Sequence, residues 1–134
     1  MKKMIIAGLM ALCTAMPALA DETWTSKFGE VVWVTDVDGT AIFSVPTEIG
    51  GEAQIYLPGF NMNIKRDTHW GYWLIPGGES CDADLTGING IASNQWGRVV
   101  VIFDKPDYPT SFTAAFGKCH GPLDKGLRAE FDPN

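Results

Sequence analysis

Two histidines, His69 and His120, are the side chains in this sequence best suited to acid–base chemistry near neutral pH. An imidazole beside a serine and a carboxylate can activate a hydroxyl nucleophile, and Ser80, Ser93 and Ser111 could fill that role. The Gly-x-Ser-x-Gly turn of many hydrolases is absent from the sequence. A zinc site would need further ligands to converge on either histidine. We therefore predict no catalytic residue, metal ligand or cofactor, and keep a small secreted hydrolase using a histidine with loop carboxylates as an alternative.

A second candidate is the segment 36–40, which reads Asp-Val-Asp-Gly-Thr after Val-Trp-Val-Thr. It resembles the first motif of the haloacid-dehalogenase-type phosphatases. The resemblance implies a nucleophile at Asp36, a general acid/base at Asp38 and Mg²⁺ between them, on a parallel α/β sheet. The later motifs and the helices of that family have no counterpart here, and a second β-type segment follows at once. We therefore predict a hairpin turn. Calcium at Asp36 and Asp38 would need further oxygen ligands.

The aromatic residues of the segment 69–75 are the third candidate site. In a strand, Trp70 and Tyr72 share one face and Trp73 takes the other. One face of a sheet in a small domain packs against the core, so either Trp73 or the Trp70–Tyr72 pair should face outward. An exposed aromatic pair suits the stacking of a sugar or the anchoring of a protein partner, although core packing alone explains many tryptophans. We take Trp70, Tyr72, Trp73 and Trp96 as the candidate ligand-binding residues.

The amino terminus predicts export. Lys2 and Lys3 precede an apolar run, and Ala18-Leu19-Ala20 has the small residues of a cleavage site, so we expect residues 1–20 to be a signal peptide and 21–134 one domain. The run is too short for a membrane anchor, so we expect no stable membrane insertion after cleavage. These features predict a periplasmic or secreted protein.

Export also bears on the cysteines. Cys13 lies in the expected signal peptide, which leaves Cys81 and Cys119 in an oxidising compartment. We therefore predict one disulfide between Cys81 and Cys119.

The charge balance excludes one class of partner. The chain has ten basic and sixteen acidic residues, and removal of Lys2 and Lys3 would leave eight against sixteen, a net charge of −8. Nucleic-acid binding requires a basic surface, so we predict no nucleic-acid partner.

The spacing of apolar residues predicts an all-β fold. Helical periodicity is missing after residue 20, and alternating or β-branched segments cover residues 24–35, 40–45, 53–57, 60–65, 69–75, 98–103, 111–116 and 127–132. We expect segments 53–57 and 60–65 to pair as a hairpin, and residues 82–95 to form a polar loop. About eight short strands predict a small antiparallel β-sandwich or barrel.

The function expected from these features is that of an exported binding protein without catalytic activity. Its ligand would be a protein partner, such as a basic enzyme that it inhibits, or a carbohydrate. Besides the hydrolase, the alternative is a structural component of the cell envelope that docks through a sheet edge.

Overall fold

A computed structural model describes residues 22–48, 51–62, 64–77, 80–106 and 109–132. The strands are β1 (Thr23–Ser26), β2 (Gly29–Val37), β3 (Thr40–Pro46), β4 (Glu52–Pro58), β5 (Thr68–Leu74), β6 (Leu85–Thr86), β7 (Ala92–Ser93), β8 (Trp96–Phe103), β9 (Phe112–Gly117) and β10 (Leu123–Asp132). Eight of them close into an antiparallel barrel in the order β1-β10-β9-β8-β5-β4-β3-β2, and β6 and β7 pair separately. The predicted all-β antiparallel fold is confirmed, and it is a barrel. The expected signal peptide lies outside the described residues.

The individual strands differ from the prediction at two places. Segment 24–35 is divided into β1 and β2 by a tight turn, in which the Ser26 hydroxyl donates a hydrogen bond to the Gly29 carbonyl over 2.8 Å. Residues Phe60–Met62 form a short 3₁₀ turn instead of a strand, and Phe60 is buried. The predicted hairpin between segments 53–57 and 60–65 is therefore wrong, since β4 pairs with β5. Alternation misled here because Phe60 enters the core and Ile64 packs against it, whereas Met62 between them is 83 % exposed.

The Asp-Val-Asp-Gly-Thr segment is the turn between β2 and β3. Val37 pairs with Thr40 across the hairpin, and both central residues have positive φ, 49° at Asp38 and 82° at Gly39. This is the geometry of the two-residue type I′ turn, which Asp-Gly favours. The predicted turn is confirmed, and the barrel is not the parallel α/β sheet that the phosphatase resemblance implies.

The interior of the barrel is filled unevenly along its axis. At the end that carries the β2–β3 turn, large aromatic side chains pack ring against ring: Trp24, Trp33, Phe43, Phe60, Phe103 and Phe112. The ring centroids of these pairs lie 5.2 to 5.9 Å apart, a range typical of favourable aromatic contacts. We call this the packed end. The opposite end, where β3 turns into β4 and β9 into β10, is the open end.

A second, smaller cluster lies outside the barrel wall. The segment 80–95 folds over outward-facing side chains of β3, β4 and β5, and it buries Ile42, Tyr56 and Leu74. The Tyr56 and Tyr72 rings stack with centroids 4.6 Å apart. Cys81 and Cys119 are joined by the predicted disulfide, with a Cα–Cα distance of 5.7 Å. This bond ties the segment to the end of β9.

Candidate functional site

A cavity of about 620 Å³ occupies the open end of the barrel. We call it the cup. Its wall is largely apolar and includes Val45, Ala53, Trp73, Ile75, Phe116 and Leu127. Its rim carries charged residues of both signs, Lys27, Glu48, Lys118, Asp124 and Lys125. Pockets for small molecules usually measure about 300–1,000 Å³, and barrel mouths are a common place for them.

The cup exists because small residues face inward where the aromatic cluster ends. Val45 and Ala53 are partners across β3 and β4, and both point into the barrel. Gly97 does not widen the cup, because a Cβ atom there would collide with the Gly117 carbonyl oxygen; it lets β8 and β9 approach closely beside the Trp73 indole. An eight-stranded barrel has just enough interior for side chains to fill it or for one small ligand. In this barrel the aromatic cluster fills one end and leaves room at the other.

Trp73 forms the base of the cup. Its indole is 9 % exposed, and its Nε1–H donates a hydrogen bond to the Gly117 carbonyl over 2.8 Å. The Phe116 ring meets it edge to face at 6.4 Å. These two contacts hold the ring in one orientation, so it can serve as a fixed flat surface for a ligand.

The rim residues are brought together by closure of the barrel. Lys27 lies in the β1–β2 turn, Lys118 follows β9, and Lys125 lies near the start of β10. Within the described parts of the chain, none of these three lysines forms an ion pair. The Lys27 ammonium lies 5.1 Å from the centre of the Phe28 ring, a cation–π contact at the surface.

The four aromatic residues predicted as ligand-binding do not form one site. Trp73 points into the cup, whereas Trp70, Tyr72 and Trp96 lie on the outer wall. Trp70 is 57 % exposed. Tyr72 is half-buried against Tyr56, and the Trp96 Nε1–H donates to the Ala83 carbonyl over 2.7 Å. Of the outer three, Trp70 presents the most open ring surface.

The two histidines are far apart in the fold. His69 is buried at the packed end, where its Nε2 lies 3.0 Å from the Arg66 carbonyl oxygen, and burial lowers its pKa. His120 is exposed and meets Trp96 edge to face at 5.0 Å. Across the described residues, neither histidine is hydrogen-bonded to a serine or a carboxylate. The constellation required by the hydrolase alternative is not assembled there.

Ser93, Ser111 and Asp36 have hydrogen-bond partners other than a histidine, and Ser80 lines the cup. The Ser93 hydroxyl donates to the Ile75 carbonyl over 2.6 Å, and the Ser111 hydroxyl donates to Glu130 over 3.2 Å. Asp36, next to the β2–β3 turn, accepts a 3.2 Å hydrogen bond from the Trp33 indole. In the described ranges, no three His, Cys, Asp or Glu side chains are grouped so that they could hold a metal ion.

Sequence reasoning missed most residues of the cup. Alternation along each strand identifies inward positions such as Ala53 and Phe116, because neighbouring side chains point to opposite faces. The rim lysines carry no such signal. They come from chain positions up to 98 residues apart, from Lys27 in the β1–β2 turn to Lys125 near the start of β10, and only the strand order brings these positions to one end of the barrel.

No protein-family model, curated protein or solved structure matches this chain. Among the described residues, no helix is long and apolar enough to cross a membrane.

Proposed function

We propose that this protein binds a small, largely apolar molecule in the cup and has no catalytic activity. The observation that carries the proposal is the uneven filling of the barrel. Aromatic side chains pack against one another at one end, while the other end keeps a cavity of about 620 Å³ above a fixed tryptophan. A barrel that needed only stability would gain from covering the apolar wall of this opening, because removing apolar surface from water stabilises a fold.

The apolar wall could supply the required binding energy. Each methylene group removed from water contributes about 0.8 kcal/mol. Roughly eight of them would supply about 6 kcal/mol, which exceeds the lowest estimates of the entropic cost of association, about 4 kcal/mol. The walls are strands held in a closed barrel, so little further ordering is needed when a ligand enters. This rigidity favours binding because the site is formed in advance.

We also propose that the protein acts in the periplasm or outside the cell. The Cys81–Cys119 disulfide is compatible with that location, since such bonds persist in oxidising compartments. Docking to the cell envelope by strand addition needs a strand with an unpaired edge. The eight strands of the barrel form a closed sheet and present no such edge, so the barrel does not support this alternative.

The test of the cup uses the neutral fluorescent probe N-phenyl-1-naphthylamine. We expect wild-type protein to bind one molecule of the probe with enhanced fluorescence. Ala53→Phe places a ring inside the cup and should abolish that binding, whereas Ala92→Phe adds the same ring at an exposed position on β7 and should leave it unchanged. Circular dichroism checks that both variants fold. Failure of the wild-type protein to bind, or equal binding by Ala53→Phe, would refute the proposal.

A second candidate function rests on Trp70. Its exposed indole and the exposed Ile102 project from neighbouring strands of the outer wall, with Ile102 45 % accessible. An exposed aromatic ring suits a carbohydrate or a protein partner, as the sequence suggested. Capture from an envelope extract should then be lost with Trp70→Ala and kept with Ala53→Phe. Equal capture by Trp70→Ala would remove this wall from the binding site.

A further inference from the structure

We infer that the ligand of the cup is a single-chain amphiphile with an anionic headgroup, such as a fatty-acid carboxylate, whose head is bound at the rim by Lys27, Lys118 and Lys125. This inference rests on the proposed function and specifies the chemistry of its ligand. The apolar wall of the cup would hold the tail, and the ammonium groups would meet the charged head.

The local charge at the rim is opposite in sign to that of the whole chain. The sequence has a net charge of −6, with ten basic and sixteen acidic residues. Counted over the described residues, the cup is lined by three lysines and two acidic residues, Glu48 and Asp124, which gives a local balance of +1. On so acidic a protein, a gathering of cations around an apolar opening favours an anionic ligand over a cationic one.

Among the described residues, Lys118 and Lys125 differ from Arg98 and Arg128 in that their charged groups have no protein partner. The Arg128 guanidinium is engaged by Asp104 at 2.6 Å and by Glu130 at 2.9 Å. Arg98 donates to the Gly121 carbonyl over 2.8 Å. In the described part of the chain, the ammonium groups of Lys118 and Lys125 make no hydrogen bond or ion pair. They can therefore bind a ligand without breaking an existing contact.

The separation of the charged rim from the apolar base also sets the orientation of the ligand. The base of the cup consists of Trp73 and Phe116, and the described side chains at this depth bring no formal charge. A carboxylate placed there would lose its hydration without gaining a partner. At the rim the same carboxylate keeps access to water and accepts charge-assisted hydrogen bonds from the lysines. The tail must then point toward Trp73.

The experiment compares three probes that share one tail. Dodecanoate, dodecanol and dodecyltrimethylammonium, each below its micelle concentration, compete with N-phenyl-1-naphthylamine for the wild-type protein at neutral pH. We expect dodecanoate to bind about tenfold more tightly than dodecanol, a factor that corresponds to about 1.4 kcal/mol, and the ammonium to bind most weakly. High salt should reduce the difference, because charges near the surface are screened.

Paired variants locate the effect. Lys118→Gln combined with Lys125→Gln should lower the affinity for dodecanoate to about that for dodecanol and leave dodecanol unchanged. Lys65→Gln combined with Lys105→Gln removes the same charge from exposed positions outside the cup and should change neither affinity.

The outcomes separate the two proposals. Equal affinities for dodecanoate and dodecanol in the wild-type protein would overturn the headgroup assignment and leave the cup in place. Tighter binding of the ammonium would also overturn it, with Glu48 and Asp124 then governing the rim. If none of the three probes competes and the fluorescent probe itself does not bind, the proposed function fails.

Discussion

A single methyl group at Gly97 should disturb the base of the cup. Gly97 on β8 pairs with Trp73 on β5. A Cβ atom built on Gly97 would lie 1.7 Å from the Gly117 carbonyl oxygen and 2.7 Å from the Trp73 Nε1. The first separation must roughly double before the atoms reach van der Waals contact. Gly97→Ala should therefore displace the carbonyl that accepts the Trp73 hydrogen bond.

The expected loss of stability follows from these contacts. Overpacking of a tight interior costs about 1–3 kcal/mol, and a buried indole N–H without an acceptor costs about 1–3 kcal/mol more. The end of β9 has little freedom to move away, because Cys119 is bonded to Cys81. Alanine regains about 0.4–1 kcal/mol by restricting the unfolded chain. The net expectation is a loss of about 2–5 kcal/mol in the free energy of unfolding.

Urea unfolding followed by circular dichroism measures this loss, and the near-ultraviolet spectrum reports on the Trp73 environment. Gly126→Ala is the matched control, because its Cβ would lie 3.8 Å from the nearest neighbour, the Ala114 carbonyl oxygen. We expect the control to stay within about 0.5 kcal/mol of wild type or to be slightly more stable. A Gly97→Ala protein as stable as the control, with an unchanged spectrum, would refute the close approach of these strands.

Three further predictions concern the rest of the fold. Burial lowers the pKa of His69, so the unfolded chain binds a proton more readily than the folded protein, which loses stability as pH falls below about 6.5. In urea unfolding between about pH 7 and pH 5, His69→Phe should show a weaker dependence of the free energy of unfolding on pH than wild type does. Equal pH dependence in the two proteins would contradict this cause. Replacing Cys81 and Cys119 with alanine should lower the free energy of unfolding by about 4 kcal/mol, because the disulfide closes a loop between residues 38 positions apart and so restricts the unfolded chain. A loss below about 1 kcal/mol would contradict this value. Tyr56→Phe removes the hydroxyl that lies 2.8 Å from Asn89 and should cost about 1 kcal/mol and speed amide exchange in segment 80–95; unchanged exchange would argue against this contact.

Local sequence patterns predicted most of the strands. They failed where contacts with distant parts of the chain determine the local conformation. Alternation at Phe60 and Met62 has the period of a strand, yet Phe60 is buried and Met62 is 83 % exposed in a short turn. Gly59, with φ of 74°, redirects the chain so that Phe60 enters the packed end. The tight turn between β1 and β2 was missed as well, because Lys27 and Phe28 at its centre carry none of the usual turn chemistry.

The candidate site was predictable only in part. The segment 69–75 was correctly expected to place Trp73 on one face and Trp70 with Tyr72 on the other, because strand geometry requires it. Which face would be inside could not be read from the segment, since both carry large aromatics. Closure of the barrel decides this, because only one face of each strand can point to a common interior.

By itself, the sequence determined what depends on neighbours along the chain or on counting: the strands, the Asp-Gly hairpin turn and a disulfide from the two cysteines beyond the expected signal peptide. The tertiary structure decided what depends on distant segments meeting. Strand order brings three distant chain positions, Lys27, Lys118 and Lys125, to one end of the barrel. The distribution of side-chain volume along the barrel axis then leaves that end hollow, and no local pattern encodes either result.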